Sequence, residues 1–208
     1  MGSYTQGMKP NANSRYDVFL AELKKFKHLF SKWEGVAFRA APLEFARLAK
    51  LLDGKGTLRM GGRWLAAGTF RLVNLSTTRE TAIRESSANF TYYNFALSDV
   101  KPKVLVAVRL KLLRVIDLTS SRGVCAQSWL RLDEWLAEEW RKVNDTGHES
   151  QSQAFGRAAH DVSAEALLVP STRVRDGVNL VYFPESVLNP GNVEILGEDE
   201  LERWLKKR

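Results

Sequence analysis

The side chains that most often carry catalysis at neutral pH are scarce in this chain. Its histidines are His28, His148 and His160, and its one cysteine is Cys125. None of the histidines stands with a second histidine, a cysteine or paired carboxylates at ligand spacing, so no metal is expected. His160 precedes Asp161, but neighbours on a helix point apart and no serine lies in a nucleophile-elbow sequence, so a hydrolytic triad is set aside. Gly61, Gly62 and Gly68 match neither a phosphate-binding loop nor a dinucleotide fingerprint. The lone cysteine excludes an internal disulfide and reads as a small buried residue.

Charge adds a preference without a partner. Lysine and arginine number 31 against 24 acids, leaving a net charge of +7, which attracts phosphate-bearing molecules of any size. The basic residues are dispersed, with short clusters only at Lys24, Lys25 and Lys27 and at Lys206, Lys207 and Arg208, so nucleic acid is not expected as the partner. A chain of 208 residues with 44% hydrophobic and 26% charged residues can bury a core. No apolar run approaches the ~18 residues of a membrane span, and residues 1–14 lack a secretory hydrophobic stretch. A soluble, cytoplasmic protein is the expectation.

Periodicity outlines the elements that must position any site. Residues 1–13 read as a flexible tail. Tyr16, Phe19, Leu20, Leu23, Phe26, Phe30 and Trp33 recur at steps of three and four, which predicts an amphipathic helix over 14–34 stopped by Gly35. Its apolar face either packs on the domain or receives a partner. A strand is expected at 36–39, a helix from Pro42 to about Leu52, and a glycine-dense turn over 53–68. After a strand at 70–75, Thr77 and Glu80 have capping-box spacing for a helix to about Ala88, with Glu85 two turns in. Strands follow at 104–110 and 113–118, helices at 130–143 and 153–159, strands at 166–169 and 178–183, and a helix at 199–204. Strands cluster instead of alternating with helices, so the fold class is α+β.

Four segments in this order resemble the RES domain family, named for an arginine, a glutamate and a serine. They are GVAFRAAP around Arg39, GGRWLAAGTFRLVNLS around Arg63, ETAIRES around Glu85 and LVPSTRVRDGVNLVYFP around Ser171. ESQSQAFGRAA resembles the family's glutamine-bearing helix and gives Gln153 as its match. The resemblance implies an ADP-ribosyltransferase-like fold, a mixed β core flanked by helices. The catalytic domain would span 35–196, with the 14–34 helix and a C-terminal helix at 197–208 added. It further implies a toxin that takes NAD as substrate, not as cofactor, and cleaves its nicotinamide–ribose bond by hydrolysis or phosphorolysis. A separate antitoxin or immunity protein is the implied partner, and the cytoplasm of the same cell, or of a target cell after delivery, the implied place of action.

That chemistry suits the residues available. Nicotinamide leaves as a neutral ring, so no general acid is needed, and the transition state is an oxocarbenium-like ribose that a fixed carboxylate stabilises. By the resemblance Glu85 is that carboxylate, Arg39 the catalytic and dinucleotide-holding cation, and Ser171 a hydroxyl for ribose or phosphate. Arg63, Asn74 and Gln153 complete the substrate-binding set, with Arg63 alternatively tying loop carbonyls and Ser171 alternatively serving its own turn. The chain departs from the family pattern at Asn74, where a tyrosine usually stacks near nicotinamide, leaving Tyr92, Tyr93 or Phe70 to supply a ring. Leu65 replaces the usual asparagine, and Ser-Thr-Arg replaces Ser-Ala-Arg. Two other readings use the same residues: transfer of ADP-ribose to a protein target, helped by the N-terminal segment, or a non-catalytic module that binds nucleotide or nucleic acid.

Overall fold

The computed structural model describes residues 10–87 and 102–206. Tyr92 and Tyr93, most of the expected tail, and the expected helix end at Ala88 lie outside them. In chain order the elements are α1 (Tyr16–Lys25), β1 (Ser31–Pro42), α2 (Leu48–Leu51), α3 (Lys55–Met60), β2 (Val73–Ser76), α4 (Arg79–Ser86) and β3 (Lys103–Asp117). They continue with α5 (Leu132–Ala137), α6 (Trp140–Asp145), α7 (Gln151–Asp161), β4 (Ala166–Pro170), β5 (Val178–Tyr182), β6 (Val193–Leu196) and α8 (Glu198–Lys206).

The strands close on themselves. β1 runs antiparallel to β3 from Ser31↔Val115 to Pro42↔Lys103 and touches β2 through Phe38↔Ser76. β2 pairs with β5, β5 with β4, and β4 returns to the far end of β3 in a parallel pairing of Ala166–Leu168 with Val115–Asp117. β6 lies antiparallel to β3 along Ala107–Leu110. Alternate residues fill the ring: Ala37 and Ala41, Val73 and Leu75, Val106, Val108, Leu110 and Leu112, Leu180 and Tyr182 are buried together. The opposite faces of β4 and β5 carry Leu167, Val169 and Val181, which pack with Phe19 and Leu23 of α1, Trp135 of α5 and Phe155 of α7 in a second, aromatic-rich core. This is an α+β fold, a barrel core flanked by helices with a helix at its N-terminus. No helix among the described residues is long and apolar enough to cross a membrane.

Several elements differ from expectation for identifiable reasons. The N-terminal helix ends at Lys25, and after a 3-10 turn at Lys27–Leu29 the chain becomes β1. Phe30 packs on the aromatic core whereas Trp33 packs on the barrel, so the continuous three-four spacing joins side chains of two different cores. Gly35 lies inside β1, so the boundary expected at 34/35 falls within a strand, and Pro42 ends that strand and opens a 3-10 turn at Leu43–Phe45, so the helix expected to Leu52 is split into that turn and α2. The strands expected at 104–110 and 113–118 are one, with Arg109 and Lys111 on the solvent face paired to Glu194 and Glu34. The expected 130–143 helix breaks at Glu138, whose backbone is extended. The tail is tied down from Asn11, which bridges to His148, and Asn13, whose backbone N–H donates to the Glu149 carboxylate at 3.0 Å.

One surface pair makes stability depend on pH. Burial raises the Glu185 pKa, but the Arg71 side chain and backbone donate to its carboxylate, and with the charges of Arg71 and His160 they hold it below its ordinary value. A depressed carboxyl contributes stability above its unfolded-state pKa of about 4.3 and loses it as pH falls through the lower folded-state value. Glu185→Gln is expected to lower the melting temperature at pH 7, with the gap from wild type closing as thermal melts are taken down to about pH 3.

Candidate active site

Three strands end together and bring polar residues to one rim of the barrel. Ser76, the last residue of β2, is paired with Asn179 of β5, and Asn179 is paired with Val169 of β4, two residues before Ser171. The chain leaves β2 through Thr77, whose N–H and hydroxyl both donate to the Val178 carbonyl, at 2.9 and 3.3 Å. With Thr77 held by β5, the cap of α4 falls on Thr78, whose Oγ1 accepts from the Thr81 N–H at 3.2 Å. At the other end of α4, Lys103 Nζ donates to the Ser86 carbonyl at 2.8 Å and to its hydroxyl at 2.9 Å. That is a cation where the helix carbonyls point; burial pushes the Lys103 pKa down.

Glu85 thus stands on a helix fixed at both ends. Its Oε1 accepts from the Ser171 hydroxyl at 2.6 Å and from Asn179 Nδ2 at 2.8 Å. The direction of both bonds is determined by their surroundings. Ser171 Oγ already accepts from the backbone N–H groups of Arg173 and Val174, at 3.0 and 3.1 Å, so its proton is left for Glu85. The Ser171 hydroxyl thus serves both the Glu85 carboxylate and its own turn. Among the described residues Oε2 of Glu85 receives no hydrogen bond, and the residue is half-buried. The serine loop closes on α4 because Gly177 is small: a Cβ there would lie 2.9 Å from Val174 Cβ, 3.0 Å from Thr81 Oγ1 and 3.1 Å from Ser171 Cβ.

Arg39 lies on β1 beside Phe38, the residue paired with Ser76. Among the described residues its Nε is buried without a hydrogen-bond partner, and its Nη1 makes one long bond, 3.4 Å, to the Asn74 carbonyl. Burial pushes its pKa below the ordinary arginine value, against the pull of Asp53. No hydrogen bond or ion pair joins Arg39 to Glu85 among the described residues.

The remaining expected residues separate into two groups. The Asn74 side chain is exposed on β2, next to Arg39. Arg63 ties loop carbonyls: its Nη1 donates to Trp135 O at 2.9 Å and Glu138 O at 3.1 Å, at the end of α5. Burial lowers its pKa, while the carboxylates of Glu139, Glu85 and Glu138 pull it back, so Arg63 sits within the field of Glu85 without bonding it. Gln153 is turned into the protein. It is fully buried, its Nε2 donating to the Gly62 carbonyl at 2.8 Å and Leu65 O at 3.3 Å, its amide paired reciprocally with Asn144, and its Oε1 accepting from Ser150 N. Phe70 is likewise unavailable as a replacement ring, being stacked on His160 with centroids 4.5 Å apart and 6% exposed. Gln153→Leu, which takes the side-chain donor from Gly62 O and both amide bonds from Asn144 in a fully buried position, is expected to destabilise the protein by about 2–4 kcal/mol, measured by urea unfolding.

Asn179 and Ser76 were invisible to motif reasoning. The available signal was a polar residue on each of two short apolar runs, VNLVY and VNLS, that turn out to be paired.

In its fold the chain is similar to one in the crystal structure of the M. tuberculosis MbcT-MbcA toxin-antitoxin complex. The TM-score is 0.65 at 20% identity, covering 90% of this chain and 97% of that one. No curated protein matches its sequence. The match that reaches sequence level is to the family model described as RES domain, over residues 36–200, a span holding Arg39, Glu85, Asn179 and Ser171 alike. This chain belongs to the RES domain family.

Proposed function

We propose that the protein consumes NAD, breaking the bond between nicotinamide and ribose, and that it is the toxin of a pair whose antitoxin is a separate protein. The carrying observation is the Glu85 carboxylate, fixed through Oε1 by two donors while, among the described residues, Oε2 has none. Family membership and the likeness to a chain of a toxin–antitoxin complex support the same reading.

The chemistry follows from charge. In NAD the glycosidic nitrogen is cationic, so when the bond breaks its electron pair neutralises the ring and nicotinamide departs without a proton. The positive charge moves to the ribose C1′ and ring oxygen, where a nearby carboxylate is worth most because it was held in place before the charge developed. Glu85 supplies that charge, and its free oxygen is suited to a ribose hydroxyl. Ser171 and Asn179 keep it from rotating. Arg39, short of partners, would hold a phosphate of the pyrophosphate. Water adding to C1′ gives ADP-ribose and a proton; phosphate adding there gives the 1′-phosphate. Asn74 offers an amide instead of an aromatic face at the rim.

Purified protein is expected to release nicotinamide from NAD, with the second product identified by mass spectrometry in the presence and absence of phosphate. Failure to release nicotinamide in either buffer would overturn the reading. Growth arrest on expression, relieved by a co-expressed antitoxin, tests the toxin assignment separately.

A further inference from the structure

We propose that Asn179 and Ser76 form a positioning chain that sets the orientation of the Glu85 carboxylate, an inference that rests on the NAD-cleaving reading of the site. Asn179 Nδ2 donates to Glu85 Oε1 at 2.8 Å, and Ser76 Oγ donates to Asn179 Oδ1 at 2.8 Å. A carboxylate only accepts, so the NH₂ end of the Asn179 amide must face Glu85 and its oxygen must face Ser76. The carboxylate thus fixes which way the amide faces, and the Ser76 hydroxyl, as the donor to its oxygen, anchors the far end of the amide to β2. Ser76 is 2% exposed, so water does not readily substitute for it.

The chain has a structural logic. Ser76 and Asn179 are directly paired across β2 and β5, so their side chains are set side by side by the sheet ladder. Glu85 sits instead in the last turn of an eight-residue helix. Ser171, its other anchor, belongs to an exposed loop that ends at Asp176 with a φ of 58°. Of the two anchors, Asn179 ties the carboxylate to the barrel itself. Neither Asn179 nor Ser76 needs to touch substrate in order to act.

The test is steady-state nicotinamide release by wild type, Asn179→Ala, Asn179→Asp, Ser76→Ala and Ser76→Thr, with the pH profile of each. Asn179→Ala is expected to lower kcat about 10- to 100-fold while KM stays within about threefold, as for loss of a contact that matters in the transition state. Ser76→Ala is expected to lower kcat about 10-fold and Ser76→Thr, which keeps the hydroxyl, to restore most of it. Asn179→Asp sets a second carboxylate against Oε1, and the acid limb of its profile is expected to move to higher pH. A merely structural pair would move melting temperatures but neither the acid limb nor the kcat–KM split. An active wild type whose Asn179→Ala variant keeps kcat within about twofold, or a Ser76→Thr as impaired as Ser76→Ala, overturns the inference alone. An inactive wild type removes the reading beneath it, and the inference with it.

Discussion

Glu85→Gln is expected to reduce the kcat for nicotinamide release by about 10³-fold with little change in KM or melting temperature. The substitution is close to isosteric, and the glutamine oxygen can still accept from Ser171 and Asn179, the two bonds that hold Glu85. What changes is the second terminal atom. A carboxylate oxygen that no described residue bonds becomes an NH₂ group, and the negative charge is lost at the moment a positive charge develops on the ribose. Removing one preorganised electrostatic partner of this kind costs about 10²–10³ in kcat, and a full charge belongs at the upper end. The measurement is nicotinamide release under saturating NAD, with thermal melts of both proteins. Activity within about tenfold of wild type would mean that the carboxylate does not carry the reaction.

The contrast with Ser171→Ala sharpens that expectation. The alanine variant leaves the Glu85 charge in place but removes one of its two donors, and it frees the Arg173 and Val174 N–H groups. It should fall between wild type and Glu85→Gln.

How far the sequence reached depended on whether a signal was local. The strands at 166–170 and 178–182 were legible because the runs Ala166–Val169 and Leu180–Phe183, four apolar residues in a row between turn signals, have few alternatives. Glu85 and Ser171 were legible through motif resemblance, and the structure brings them into contact although 86 positions separate them. The end of α1 was not legible, because Phe26, Phe30 and Trp33 extend a helical spacing past the point where pairing with β3 takes over the backbone. Tertiary pairing overrides a local period in such a case. Gln153 carried a family match but no sign of burial, and its role turned on which carbonyls lie beneath it, a long-range fact. Asn179 and Ser76 each look like an ordinary polar residue in a strand until register places them opposite one another.

The largest effect on stability is expected from Gly156→Ala, which should cost at least about 4 kcal/mol or prevent folding. A Cβ at this position in α7 would lie 1.9 Å from the carbonyl oxygen of Trp64, 2.8 Å from its carbonyl carbon and 3.3 Å from its Cα. All three are backbone atoms, so no side chain can rotate away. The loop bearing Trp64 is itself pinned by Gln153, one turn earlier on α7, through Gly62 O and Leu65 O. It cannot retreat without breaking those bonds to Gln153 and lifting the buried Trp64 and Leu65 out of the aromatic core. Gly56→Ala is the matching control: its Cβ would meet nothing within 4 Å, and as a residue of α3 it should be neutral or stabilising by up to about 1 kcal/mol. Urea unfolding of the two variants separates a glycine required by close approach from one that only loosens a helix. The same loop carries Arg63, which ties the end of α5 and feels the charge of Glu85, so any Gly156→Ala protein that does fold should also lose activity by moving Arg63 off the carbonyls of Trp135 and Glu138.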